Sequence, residues 1–337
     1  MIESYAASMT EYATQLTRCW EDGMTVDMLD EMVRMSTAIA GKALFGAEVE
    51  EEAEAINQAL QDALSLFGRI AIPYSEQLLQ LPLPGSIRFR RAKARLDATI
   101  DQMIEKRRNT DLDNGDLLSI LLQENEAGGM SDQQIRDEAL TLFLTAFDTT
   151  SLALTWTWYL LAQNPEAEAE LQAEVDQVLE GRTPTVEDLP QLKYTRMVLG
   201  ESMRVRPPLY VISRQARETF QLGSYTIPAG SILLISPYLI HHDPRFRPNP
   251  DQFDPHSWDK HAQQASSKYE YIPFSRGPRA CIGESFAWME GVLVLATIAQ
   301  SWHLKLVPGH PVEFLQLINL RPKYGMKMTV HRRDRKA

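Results

Sequence analysis

The chain has 337 residues, 44% hydrophobic and 23% charged, which is enough apolar material for one large core. Its net charge of −11 excludes a nucleic-acid binder, which needs a basic face against phosphates. Two cysteines exclude a disulfide framework and point to a reducing compartment, and no stretch reaches the ~20 apolar residues that a membrane helix needs. With Glu3 and Glu11 and no apolar run, the N-terminus reads as neither signal peptide nor anchor, so the expected location is the cytoplasm.

Helical spacing dominates the first half. Apolar residues recur every three or four positions over 4–20 and 25–45, the second run carried by Leu29, Met32, Val33, Ile39 and Leu44 and stopped by Gly46. A third helix is expected over 49–69. LPLPGS (81–86) reads as a loop, and a helix with a solvated basic face (Arg88, Arg90, Arg91, Lys93, Arg95) follows. A short helical run covers 115–123. Ser131 and Gln134 form a capping box for a long helix reaching about residue 163. Asn164-Pro165 restarts a helix that stops at Gly181, and another spans about 192–206, ended by Pro207-Pro208.

The pattern then changes. VISRQAR (211–217), TFQLGSYTI (219–227) and SILLISPYLI (231–240) are β-branched and aromatic runs broken by Gly and Pro, so they read as short strands and hairpins. A last helix is expected over 283–301, with a strand pair around residues 322–325. His241 and His242 have no third ligand at zinc-like spacing and read as structural.

The chemistry concentrates in Phe274-Ser-Arg-Gly277-Pro-Arg279-Ala-Cys281-Ile-Gly283, just ahead of that last helix. A lone cysteine is ordinarily a small buried hydrophobe, as Cys19 is taken to be. Five fixed residues at these offsets arise by chance on the order of once in ten thousand chains, so the loop outweighs that reading. If Cys281 ligates iron, each neighbour has a task. The helix N-terminus lowers the thiol pKa. Phe274 walls the sulfur from water. Gly277 turns the backbone amides towards it. Arg279 pairs a haem carboxylate. Gly283 allows close approach to the porphyrin.

The loop resembles the haem-binding signature of the cytochrome P-450 family. That resemblance implies haem b with Cys281 as its axial thiolate, and a mainly α fold with a small antiparallel β region. It covers the whole chain as a single domain that begins at the family's fourth helix, so the family's earlier helices and N-terminal sheet are expected to be missing, through a truncated start or a natural or engineered short form.

Within the long helix, Thr145-Ala-Phe-Asp148-Thr149-Thr150 sits in an apolar stretch, where Asp148 and Thr149 read as an acid–alcohol pair. A back-bond from Thr149 to a carbonyl would open a groove for water, and the acid would feed it protons. The resemblance assigns the pair to dioxygen activation. Thr145, Ala146 and Phe147 are larger than the family's residues there and narrow the pocket.

Glu201 and Arg204 share a helix face and can pair. In the family this pair locks onto a later arginine. Here that segment reads Phe253-Asp-Pro255-His256-Ser257-Trp258, with Ser257 at the arginine position, so the lock is expected to lack its third member. Arg214 is either a surface arginine or, by resemblance, a second propionate partner. By the same alignment Leu142, Phe143, Thr145, Ala146, Pro208, Leu209, Tyr210, Val211, Leu317 and Ile318 line the substrate pocket.

The implied function is a monooxygenase that inserts one oxygen atom from O2 into a small apolar substrate: fatty-acid-, terpenoid- or xenobiotic-like. The chain has no Gly-rich dinucleotide fingerprint and no iron–sulfur motif. NAD(P)H-derived electrons must therefore come from a separate ferredoxin or flavoprotein reductase, docking near Lys268, Arg276 and Arg196. The alternatives are a peroxygenase or isomerase of the same family, and a non-catalytic remnant with weak haem binding.

Overall fold

A computed structural model describes residues 5–46, 81, 83–109, 116–126, 128–258 and 269–333. The helix expected over 49–69 lies outside them, as does Lys268. In chain order the structure runs α1 (Ala6–Arg18), β1 (Thr25–Asp27), α2 (Met28–Phe45), α3 (Pro84–Arg108), α4 (Leu117–Glu126), α5 (Asp132–Gln163), α6 (Pro165–Leu179) and α7 (Lys193–Val205). Next come β2 (Ile212–Gln215), β3 (Phe220–Leu222), β4 (Tyr225–Ile227), β5 (Ile232–Ile235), α8 (Pro237–His241), α9 (Glu284–Ala299), β6 (Trp302–Leu306), β7 (Phe314–Gln316), β8 (Leu320–Pro322) and β9 (Lys327–Arg332). Helices dominate and every named sheet is antiparallel. Among the described residues no helix is long and apolar enough to cross a membrane.

Where local chemistry is decisive, the elements follow it. The Ser131 hydroxyl accepts from the Gln134 N–H at 3.3 Å, and the Gln134 side chain accepts from the Ser131 N–H at 2.8 Å, closing the capping box of α5. Gly46 ends α2 at φ 58°, in the left-handed region, its N–H returning to the Lys42 carbonyl.

Four expectations need correction. Residues 25–27 are strand, not helix, because Thr25 and Val26 pair with Thr329 and Met328. Helix α2 starts only behind Asp27, whose carboxylate accepts from the Leu29 N–H at 3.1 Å. The stretch 81–86 is not all loop, since Pro84 opens α3 in the first-turn position where its missing N–H costs nothing. Nor does the run 231–240 stay extended. Ser236 caps Leu239 and Pro237 opens α8. Finally, the C-terminal pairing is wider than the pair expected near 322–325. β7 pairs with β8, while β9 lies between β1 and β6.

Helix α5 threads two apolar clusters. Its stretch from Ile135 to Leu152 (Ile135, Ala139, Phe143, Phe147, Leu152) packs with α2, α3 and α4. Its C-terminal half (Leu154, Trp156, Trp158, Leu161) packs with α1, α6, α7, α9 and the β6–β9 strands. Each fully buried Leu or Phe there contributes about 1.5–3 kcal/mol. A Cβ on Gly291 would collide with Leu199, so this glycine lets α9 lie against α7. That approach sets the cysteine loop, which leads into α9, beside the Glu201–Arg204 pair on α7.

Candidate active site

Phe274 lies half-buried at the start of the cysteine loop, its ring 6.0 Å from that of Trp288 on α9. The chain turns sharply here: Ser275 has φ 62° and Gly277 φ 81°, both left-handed. The Cys281 N–H then donates to the Phe274 carbonyl at 2.9 Å and closes the loop. A short 3₁₀ turn, Gly277–Arg279, carries Arg279 on its exposed side.

Cys281 is exposed, and beside it Ile282 is 84% exposed. The thiol does not show the lowered pKa expected from the helix terminus. Burial of its inner side pushes it up, the Gly283 N–H bonded to it pulls down, and Glu284 pushes up again. A bound metal cation would override that balance.

Strand β2 brings Arg214 to the same place, its Nη2 3.4 Å from the Ser275 hydroxyl. An open thiol, an uncovered apolar side chain beside it and two exposed guanidinium groups are the donor set that a flat iron cofactor with two carboxylates requires. The residues present therefore fit haem. Among the described residues no cluster of His, Cys, Asp and Glu could hold a metal ion in another way. His241 and His242 each have a backbone partner: the Ile272 N–H donates to His241 Nε2 at 3.0 Å, and His242 Nδ1 lies 2.8 Å from the Tyr238 carbonyl.

Leu142, Thr145, Ala146 and Thr149 share the less buried face of α5. The Thr149 hydroxyl donates back to the Thr145 carbonyl at 2.9 Å, and Thr145 donates to Thr141 at 2.8 Å. Phe143, expected in the pocket, turns inward instead. It is 1% exposed, with its ring 5.5 Å from Phe45 and 5.4 Å from Phe147. A residue one position from the open face of a helix points about 100° away from it.

Asp148 also points inward and does not bond Thr149. Its carboxylate is held by Arg321 and Asn319 from β8 and the turn before it. Burial pushes this carboxyl up, against the pull of Arg321 and Asn319.

Residues 208–211 and the β7–β8 turn close over that region. Tyr210 Oη donates to the Leu317 carbonyl at 3.0 Å, and the Leu320 N–H donates to the Pro208 carbonyl at 2.8 Å. Trp156 on α5 donates to the Leu320 carbonyl at 2.8 Å. Leu317, Ile318 and Ala146 all pack against the cluster containing Phe143 and Phe147. Leu209, Tyr210 and Val211 are half-buried, whereas Pro208 is buried and acts through its backbone. Ten residues were expected to line the pocket, and the eight besides Phe143 and Pro208 remain partly open.

The lock is not left without a third member. Arg204 bonds both oxygens of Glu201 at 2.9 Å, and its remaining N–H groups reach the carbonyls of His241, Pro250 and Gln252. The third donor is Trp258, whose Nε1 is 3.0 Å from Glu201 Oε2. Asp148's partners Asn319 and Arg321 escaped sequence reasoning, and so did Trp258. The one signal for the first two was a pair of polar residues alternating with Leu320 in a short strand.

A family model described as Cytochrome P-450 matches residues 1–328. The chain is 39% identical over 333 residues to cyclooctatin synthase of Streptomyces melanosporofaciens, covering 97% of this chain and 71% of that protein. It is 36% identical to cyclooctat-9-en-7-ol 5-monooxygenase of the same organism (91% and 68% covered) and 30% identical to pentalenene oxygenase of Streptomyces avermitilis (92% and 70%). The crystal structure of the cytochrome P-450DA heme domain superposes with a TM-score of 0.87 at 27% identity, covering 98% of this chain and 74% of that one.

Proposed function

The chain belongs to the cytochrome P-450 family, and from that premise we propose that Cys281 is its iron ligand and that its substrate is a terpenoid-like hydrocarbon or alcohol. It is an oxidoreductase whose cofactor is haem held by a cysteine thiolate. Bound haem supplies dioxygen activation, with one oxygen atom entering the substrate and the other leaving as water.

The observation that carries the reading is the closed, left-handed turn that presents Cys281, uncovered, ahead of α9. In this reading Phe274 and Gly277 shape the turn, Gly283 offers its N–H to the sulfur, and Arg214 and Arg279 hold the propionates. Thr149, on the open face, positions water. Asp148 exchanges protons with that water only when its carboxylate leaves Arg321 and Asn319, because against them it is buried on the inner side of α5. Leu142, Thr145, Ala146, Leu209, Tyr210, Val211, Leu317 and Ile318 bind the substrate by apolar contact. Three relatives support the substrate class, their names including a hydrocarbon, pentalenene, and an unsaturated alcohol, cyclooctat-9-en-7-ol. Electrons come from a separate ferredoxin or flavoprotein reductase, with Arg276 and Arg196 on its docking face.

The ligand assignment is tested by Cys281→Ser, which should abolish the thiolate-type carbon-monoxide difference spectrum, while Cys19→Ser keeps it. The opposite pattern would sink the assignment. For the substrate, titration with terpenoid hydrocarbons should shift the haem spectrum, and labelled dioxygen should place one labelled atom in the product. Response to long-chain fatty acids alone would refute the substrate class. Equal turnover with peroxide and no electron donor would favour a peroxygenase.

A further inference from the structure

We propose that Trp258 replaces the absent lock arginine and is a positioning residue that transmits the rigidity of the Glu201–Arg204 pair to the cysteine loop. The proposal rests on Cys281 being the iron ligand. Glu201 is 1% exposed and accepts four hydrogen bonds: two from Arg204, one from the Asp254 N–H at 3.1 Å and one from the Trp258 indole at 3.0 Å. Four is about the full acceptor capacity of a carboxylate. Arg204 in turn spends its five N–H groups on five acceptors. The pair is thus balanced in charge and in donors, with an indole where an arginine would otherwise stand. Ser257, in the arginine's place, leaves its buried hydroxyl without a partner.

Two threads run from this lock to the loop. Trp258 packs edge-on against Tyr271, with centroids 4.6 Å apart, and Tyr271 Oη donates to the Gly200 carbonyl at 3.1 Å. Gly200 lies under the edges of both Trp258 and Trp288, where a Cβ would meet the two rings at 3.2–3.3 Å. Trp288 then abuts Phe274. Independently, the His241 carbonyl accepts from Arg204 while its Nε2 accepts from the Ile272 N–H. Tyr271, Ile272 and Phe274 are the residues from which the chain turns towards Cys281. The half-buried Arg247 guanidinium lies 5.9 Å from the Trp258 ring centroid and supplies a nearby cation.

The test uses haem-loaded protein and two readouts: the rate of haem transfer to excess apomyoglobin, and the fraction of the carbon-monoxide complex that has lost its thiolate. Trp258→Phe keeps the ring and removes the N–H. Loss of one charge-assisted bond should speed haem transfer on the order of tenfold and raise the thiolate-lost fraction. Adding Ser257→Arg to Trp258→Phe should restore both readouts towards the parent. Unchanged readouts in Trp258→Phe, or no rescue by Ser257→Arg, would overturn the proposal. If Trp258→Phe yields no folded protein, the double variant must still fold and hold haem, and its failure counts equally against the idea. A wrong iron ligand shows itself separately, because Cys281→Ser would then keep the thiolate-type spectrum.

Discussion

Glu201 on α7 and Glu290 on α9 are each 1% exposed, yet their surroundings have opposite characters. Glu201 faces a guanidinium, an indole N–H and a backbone N–H, so a full ion pair is buried with its hydrogen bonds complete. Glu290 faces a single neutral partner, the Ser36 hydroxyl on α2 at 2.8 Å, and burial pushes its carboxyl up to about 8. Asp148 stands between them, with one cation and one amide and a carboxyl raised by burial. The number of donors converging on a buried acid decides whether the fold accommodates it as an ion or as a neutral group. The complete set lies behind the cysteine loop, where a fixed geometry is needed. The lone acid lies between α2 and α9, where packing alone suffices.

Breaking the complete set should cost most. Glu201→Gln leaves Arg204 buried without its counter-charge, and the unfolding free energy should fall by about 3–5 kcal/mol in denaturant titration. A loss under about 1 kcal/mol would show that the pair is not a rigid element. Arg321→Met should cost less, about 1–3 kcal/mol, because Asp148 can take up a proton in response. That deficit should shrink as pH falls and grow as pH rises, and a deficit independent of pH would count against Arg321 as the partner that stabilises the charge.

Glu290→Gln sharpens the contrast from the other side. Its folded carboxyl is raised from 4.5 to about 8, so the native state keeps a proton that the unfolded chain releases. Parent stability therefore declines as pH rises between those values, while the Gln variant should lack that slope and stay within about 1 kcal/mol of the parent at low pH. The smallest effect on stability belongs to Thr149→Ala, within about 0.5 kcal/mol, since Ala is the better helix former. Its effect appears in coupling instead: peroxide release per electron pair should rise with haem content unchanged, and unaltered coupling would remove Thr149 from proton delivery.

Legibility in the sequence followed the range of the interaction. The turn of the cysteine loop could be read locally, because its residues lie within ten positions of one another, but the lowered thiol pKa expected there does not appear. The β region was placed correctly between residues 211 and 235, but Ser236-Pro237 converted the end of its last run into a helix. Phe143 was misassigned because alignment by position does not say which way a side chain turns. Asp148 and Thr149 are adjacent in sequence but lie on different faces of α5: the back-bond of Thr149 to a carbonyl could be read locally, whereas the partners of Asp148 could not.

What the sequence determined by itself was local: the capping box of α5, the stop at Gly46, the proline-led starts of α6, and the turn that carries Cys281. Each depends on backbone donors, φ values and side chains a few residues apart, and such preferences act before any tertiary contact forms. The tertiary structure alone decided who completes the buried charges. Arg321 meets Asp148 across 173 positions, Trp258 meets Glu201 across 57, and Thr25 finds its strand partner near the other end of the chain. No local pattern marks such pairs. Their selection comes from desolvation, which makes an unpartnered buried charge so costly that the fold must bring a donor to it from wherever the chain supplies one.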